Sequence, residues 1–317
     1  MENFLAVARQ VWTLFALMGA GVALRRFRLV DEAAVKGIVN VLVLAVTPCL
    51  IVSVFQRPFD TSMVRQLAIA FAVSAAVHAA MIAAAHAAVR RTAAVGDAAV
   101  PVLRMSVVFS NAGFMGIPLE QAVLGERGVF FGIVYVAVFN VFMWSWGLKA
   151  MTGAAATAAD RRRALRTMLV NPGTVGLAVG LPLFLFSVRL PDAVARPVGM
   201  MAAMNTPLAM IVIGWYLAGA RLGAVAKSAP AHLAAVLRLV ACPLLLVAAL
   251  YPARGALDRT MMLALVTAAS APVAAMTAMF AAKYGRDVDL AVGLVSGTTL
   301  LSMATMPAVI AFAMAVL

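Results

Sequence analysis

The sequence predicts an all-α polytopic membrane protein of ten transmembrane helices, and two observations predict it. Of 317 residues, 65% are hydrophobic and only 12% charged, against roughly 45–50% and roughly 25% in a typical soluble domain. The apolar residues also come in crossing lengths. Residues 64–89, 129–148, 236–251 and 288–317 are nearly charge-free, and a helix needs about 20 such residues to span roughly 30 Å of hydrocarbon. Their Ala, Leu, Val and Met content, with few alternating runs, favours helices over an outer-membrane barrel.

Charged and Pro/Gly-rich punctuation divides the chain into segments 5–24, 33–56, 64–89, 101–124, 128–149, 168–188, 193–219, 231–251, 260–282 and 287–316. Glu2 precedes the first and the basic cluster Arg25–Arg26–Arg28 follows it. No clear small-residue cleavage pattern is present, so it reads as a retained helix rather than a signal peptide. The longest polar interval, Met151–Thr167 with Asp160, Arg161, Arg162, Arg163 and Arg166, separates 1–150 from 168–317. Each part holds five segments. Five is odd, so duplicated halves would face opposite ways. Thr47–Pro48 in the second segment is echoed 159 residues later by Thr206–Pro207 in the seventh, and the same offset places Gly113 opposite Pro272. Inverted repeats with interrupted helices are a recurring transporter plan.

The net charge of +13 comes from basic residues at the ends of apolar segments. That distribution serves topology and contact with anionic membrane lipids rather than nucleic acid. Loops one, three, five, seven and nine with their helix ends carry 17 Lys and Arg, the opposite side eight. The positive-inside rule therefore puts both termini outside and the central linker in the cytoplasm. Cys49 and Cys242 lie in apolar segments, and three His are scattered. The residues offer no disulfide framework, no metal site, no cofactor and no nucleophile–base pair, so no enzyme is expected.

The sharpest local feature is the run Ser110–Asn111–Ala112–Gly113–Phe114–Met115–Gly116–Ile117–Pro118 in segment four. Gly113 and Gly116 permit an opened backbone, and Pro118 removes an amide donor. Lipid cannot satisfy an opened helix, so the break must face protein, water or ligand. Half-helix amides and the Asn111 side chain suit a small organic anion, while a packing kink is the structural alternative. Segment nine offers a counterpart in Thr267, Ser270 and Pro272. Thr47 and Asn205, with Asn40, Pro48, Thr206 and Pro207, suit cavity-lining helices. Thr298 and Ser302, with Thr305, form a polar stripe in segment ten that reads equally as a helix interface.

Ionisable groups within the apolar segments are few. His78 is either a proton-handling group or a satisfied structural histidine. Glu120 follows the break and is a candidate for coupling to H+ or Na+, which the residues leave open. Arg238 either attracts a carboxylate or snorkels to cytoplasmic headgroups, the reading favoured here.

Asn111 through Pro118, Asn171–Pro172, Pro207–Leu208–Ala209–Met210 with Gly214, Arg238–Leu239 with Pro243, and Thr299–Leu300–Leu301–Ser302 through Pro307 together resemble the auxin efflux carrier family in its compact bacterial form. The resemblance covers essentially the whole chain. It implies ten helices in two inverted five-helix repeats, broken helices four and nine crossing at Pro118 and Pro272, and a fold like that of bile acid sodium symporters. It further implies a secondary transporter of the bacterial inner membrane, with periplasmic termini. A small mono- or dicarboxylate such as malonate or malate is the expected substrate, moved by alternating access. A homodimer is implied as well. An anion channel, or export of auxin-like aromatic carboxylates, is the alternative. No Asn stands close to Pro272, a departure that sets this chain apart from plant-like auxin recognition.

Overall fold

The computed structural model describes residues 2–90, 95–153, 162, 165–166, 169–219, 223–226 and 228–317. Most of the linker expected at Met151–Thr167 lies outside them. The described residues form helices α1 (Glu2–Arg26), α2 (Glu32–Val54), α3 (Thr61–Ala88), α4 (Ala99–Val108), α5 (Ala112–Thr152), α6 (Pro172–Leu185), α7 (Asp192–Leu217), α8 (Ala229–Ala253), α9 (Arg259–Ser270), α10 (Met276–Lys283) and α11 (Val288–Val316). Among the described residues there is no strand, only one isolated antiparallel bridge.

Six of these helices are long and apolar enough to cross a membrane: α2, α3, α5, α7, α8 and α11. The others are shorter or less apolar, and α5 is not one rod. Gly125 adopts φ 67° and ψ −164° inside it. A Cβ built on Gly132 would lie 1.7 Å from Oε2 of Glu120, yet twelve residues of straight helix span about 18 Å. The chain therefore doubles back at Gly125, and arms 112–124 and 126–152 pack side by side.

Local chemistry sets the helix starts. Asp31, Asp60, Asn171, Ser228, Asp258 and Asp287 each accept a hydrogen bond from a first-turn amide of the helix that follows. Short polar side chains at this position satisfy donors that have no intrahelical acceptor. Proline shapes three helix interiors. Pro48, Pro118 and Pro243 each follow a π turn, at Leu42–Val46, Ala112–Gly116 and Leu237–Ala241. A proline clashes with the carbonyl one turn back, and the wider π turn displaces that carbonyl.

The helices sort into two packing groups. In the first, α1 lies against α7 and α2 against α6. Glycines bring these backbones into contact: a Cβ on Gly214 would lie 1.9 Å from the Met18 carbonyl oxygen, and one on Gly21 2.0 Å from that of Ile211. On α6, Gly176 does the same against the Pro48 backbone, and Gly180 makes room for the Phe55 side chain. Trp215 is further fixed by Arg25, which sits over its ring at 4.1 Å and donates to its carbonyl. In the second group, α3, α5, α8 and α11 enclose α9, whose residues 261–270 are all buried, and α4 and α10 pack beside them.

Candidate functional site

Helices α4 and α9 both end inside the second group, and their chains cross there. After α4, Phe109 is extended (φ −103°, ψ 116°), as is Ala271 after α9 (φ −62°, ψ 149°). The two stretches run antiparallel and bridge at Ser110 and Val273. The Asn111 amide donates to the Pro272 carbonyl at 2.6 Å, and the Ala274 amide to the Phe109 carbonyl at 2.9 Å. Thr298 supplies the missing acceptor on the far side. Its Oγ1 takes the Val273 amide at 3.1 Å while donating to the Leu294 carbonyl at 2.7 Å. An unpaired backbone group in hydrocarbon costs several kcal/mol, and here each opened segment satisfies the other.

Arg238 completes the accounting. It lies in the π turn of α8, 1% exposed. Its Nη1 donates to the carbonyls of Val107 (3.1 Å) and Val108 (2.9 Å), and its Nη2 to that of Ala269. These are last-turn carbonyls of α4 and α9, the negative ends of both helix dipoles. One guanidinium caps two helices at once. The snorkelling reading is thereby corrected, since the group reaches inward rather than to headgroups. Its terminal nitrogens are also engaged with backbone rather than waiting for a carboxylate. The forked donor geometry of arginine suits this task.

On the other side of the crossing the backbone is open. Asn111 is half-buried and occupies the N-cap position of α5 (φ −77°, ψ 49°). Its carbonyl accepts from the amides of Met115 and Gly116 at 2.9 and 3.3 Å. Its side-chain amide has no hydrogen-bonded partner among the described residues. Gly113 is exposed, with no atom within 4 Å of where a Cβ would stand. Ala275, just before α10, is exposed as well. The first amides of a helix have no intrahelical acceptor, so this face presents donors and a primary amide without protein partners.

A cavity of about 20 Å³ lies close by. It is walled by Leu14, Phe15, Met18 and Met210 from the first group and by Met115, Leu119, Ser302, Met306 and Pro307 from the second. That volume holds about one water molecule. The cavity is thus a narrow, partly open seam between the groups, lined almost wholly by apolar atoms.

The remaining sequence candidates fall in several places. Pro272 is in the crossing, but Pro118 is buried about two turns along α5, with Asn111 and Ser110 occupying the crossing instead. The backbone opens at Phe109–Asn111, not between Gly113 and Pro118, because the π turn absorbs the proline. Gly116 is buried, and a Cβ built there would stand 3.3 Å from the Ala268 Cα. Thr267 and Ser270 bond the carbonyls of Leu263 and Thr267 in their own helix, and Thr47 bonds that of Leu42. Asn205 is buried with its side-chain nitrogen unpaired. Asn40 is exposed. Ser302 reaches the cavity while donating to the Thr299 carbonyl.

His78 is fully buried among the rings of Phe109, Tyr135 and Phe142, with Nδ1 on the Ser74 carbonyl at 2.8 Å. Its surroundings are those of a packed structural histidine. Two contributors carry little sequence signal: Val273, which pairs only through its backbone, and Gln121, whose Oε1 accepts from Thr206 Oγ1 at 3.2 Å across the two groups.

Helices long and apolar enough to span a membrane, wrapped around an internal crossing of opened backbone, describe a polytopic membrane transporter. The chain belongs to the membrane transport protein family, that of the auxin efflux carriers, whose model matches residues 6–310. No curated protein matches the chain.

Proposed function

We propose that the protein is a secondary carrier that moves a small organic anion by alternating access. The observation that carries this reading is the crossing itself: paired backbone on one side, and on the other the unpartnered Asn111 amide with the open first turn of α5. Such a site binds an anion with fixed dipoles and needs no buried cation to do so. The substrate class is a small mono- or dicarboxylate such as malonate or malate.

In this reading the first packing group is the static bundle and the second carries the crossing past it. The narrow apolar seam between them, with room for about one water, supports a gated site over the continuous hydrated route of a channel. Its Met- and Leu-rich walls favour one second reading, an aromatic carboxylate with an apolar body.

An architecture of two inverted five-helix repeats, 1–150 and 168–317, underlies the proposal. The offset of 159 residues relating Thr47–Pro48 to Thr206–Pro207 also carries Gly21 to Gly180 and Phe55 to Gly214. Those four residues form equivalent contacts: Gly21 and Gly214 join α1 to α7, and Gly180 packs on Phe55 between α6 and α2. A two-fold relation between the halves accounts for that coincidence. A bacterial inner-membrane location with periplasmic termini, and assembly as a homodimer, belong to the same proposal.

The test is uptake and counterflow of labelled malonate in proteoliposomes. Saturable counterflow supports the carrier, and unsaturable charge movement far above carrier turnover identifies a channel. Absence of malonate flux in folded protein moves the substrate to malate or aromatic acids.

A further inference from the structure

Glu120 takes no part in holding the crossing together. It lies on arm 112–124 of α5, 0% exposed, and neither carboxyl oxygen has a hydrogen-bond partner. A buried carboxylate without partner or counter-ion carries a penalty of several kcal/mol, and in a membrane interior such residues mark ion and proton pathways. The space around it is made for a carboxyl. The Oε2 atom occupies the notch left by Gly132 on the returning arm, where a Cβ would come within 1.7 Å, and Oε1 lies 3.8 Å from the Cβ position of Gly116.

Ionisable groups on the neighbouring elements are turned elsewhere. Arg127 pairs with Asp258, Glu126 with Arg57, and Arg259 donates to the Met314 carbonyl. His78 is enclosed by its ring neighbours, and Arg238 is committed to the carbonyls of α4 and α9. Tyr135 lies toward His78 and Arg238, Arg65 and Arg9 are exposed, and α7 adds Asp192 and Arg196, exposed and paired with each other, and Tyr216, which stacks edge-on against Trp215. Among the described residues Glu120 has neither a hydrogen-bond nor an ion-pair partner.

Position adds function to chemistry. Glu120 is five residues from the exposed turn at Gly125, about 7–8 Å along the helix axis. The residues on either side of it meet the first packing group: Leu119 walls the narrow seam, and Gln121 bonds Thr206.

We propose that Glu120 is a proton-binding site through which transport is coupled to H+. In the form described here it holds its proton as the neutral acid. When the seam opens, its O–H bond breaks, the proton passes to water, and the carboxylate remains until a proton returns. The charge change occurs within one turn of the contacts that join the two groups, which links proton release to their separation. The proposal rests on the carrier reading for its coupling role, but the protonation state is measurable without any substrate.

The chain has four glutamates. Glu32 and Glu126 are exposed and paired, so infrared spectra of purified protein with 13C-labelled glutamate resolve Glu120. The expected result is a label-shifted carboxylic-acid carbonyl band at neutral pH that is missing in Glu120→Gln. Glutamate signal that is wholly carboxylate at neutral pH overturns the proposal, as does a signal that answers to Na+ instead of pH; both use the wild-type chain and need no variant to fold. In proteoliposomes, an imposed pH gradient is expected to drive labelled malonate in the wild type, with that response lost in Glu120→Gln. A variant that responds like the wild type overturns the coupling. If neither protein moves malonate, the substrate assignment fails and the infrared result alone decides Glu120.

Discussion

The backbone amide of Asn111 donates to the carbonyl of Pro272 at 2.6 Å, tying together two segments 161 residues apart in sequence. Because the main chain of Asn111 does the structural work, its side chain is left unpartnered beside the exposed Gly113. Structure and recognition are therefore separable at one residue.

Asn111→Ala is expected to leave folding intact and to weaken substrate binding by roughly 10- to 100-fold, the weight of one hydrogen bond to a charged group at about 1.5–3 kcal/mol. Counterflow titrations together with thermal unfolding of the same preparation check this. Unchanged binding in stable protein would remove Asn111 from the site while leaving the fold standing.

Arg238 has the opposite profile. Replacing it with Ala strands the carbonyls of Val107, Val108 and Ala269 and is expected to cost at least about 3 kcal/mol, at roughly 1–3 kcal/mol for each buried group left unsatisfied. Arg238→Lys keeps the charge but loses the fork, so it should recover only part of the stability. Thermal unfolding in detergent distinguishes the three proteins.

Thr298 and Thr299 form a matched comparison. Thr298→Val removes the acceptor of the Val273 amide and is expected to lower stability by about 1–3 kcal/mol. Thr299 donates only to Val295 in its own helix, so Thr299→Val should change little. Equal losses at both positions would count against the role given to Thr298.

Gly214→Ala drives a methyl to within 1.9 Å of the Met18 carbonyl oxygen. Two backbones must part to admit it, at about 1–3 kcal/mol for overpacking. The expected result is a lower unfolding temperature, with Gly199→Ala, where a Cβ meets nothing within 4 Å, as the unaffected control.

Asp60 caps α3, and hydrogen bonds from Ser62, side chain first and then backbone, hold its carboxyl below the usual carboxylate range. A depressed carboxylate contributes stability above its unfolded-state value and loses it as pH falls through its own lower one. Asp60→Asn should therefore be less stable than wild type at neutral pH, with the two unfolding temperatures converging in acid. A difference that persists unchanged at low pH would mean that charge is not the cause.

The sequence by itself determined that the chain is helical and membrane-embedded, because apolar stretches of crossing length are a local property that no packing partner alters. Capping residues such as Asp31, Asp258 and Asp287 are legible for the same reason, acting within three residues of themselves. The run from Ser110 to Pro118 drew attention to segment four, where one helix ends at Val108 and the next begins at Ala112. The non-helical stretch, at Phe109–Asn111, depended on a π turn that absorbs Pro118 and on a bridged segment 163 residues away. Only the tertiary structure decided that Arg238 caps two helices, since the carbonyls it holds lie 31 and 130 or 131 residues off. Only the tertiary structure placed Glu120 against Gly132, through the reversal at Gly125. Backbone groups opened in an apolar interior must find acceptors wherever the fold brings them, and those partners are set by three-dimensional proximity rather than by spacing along the chain.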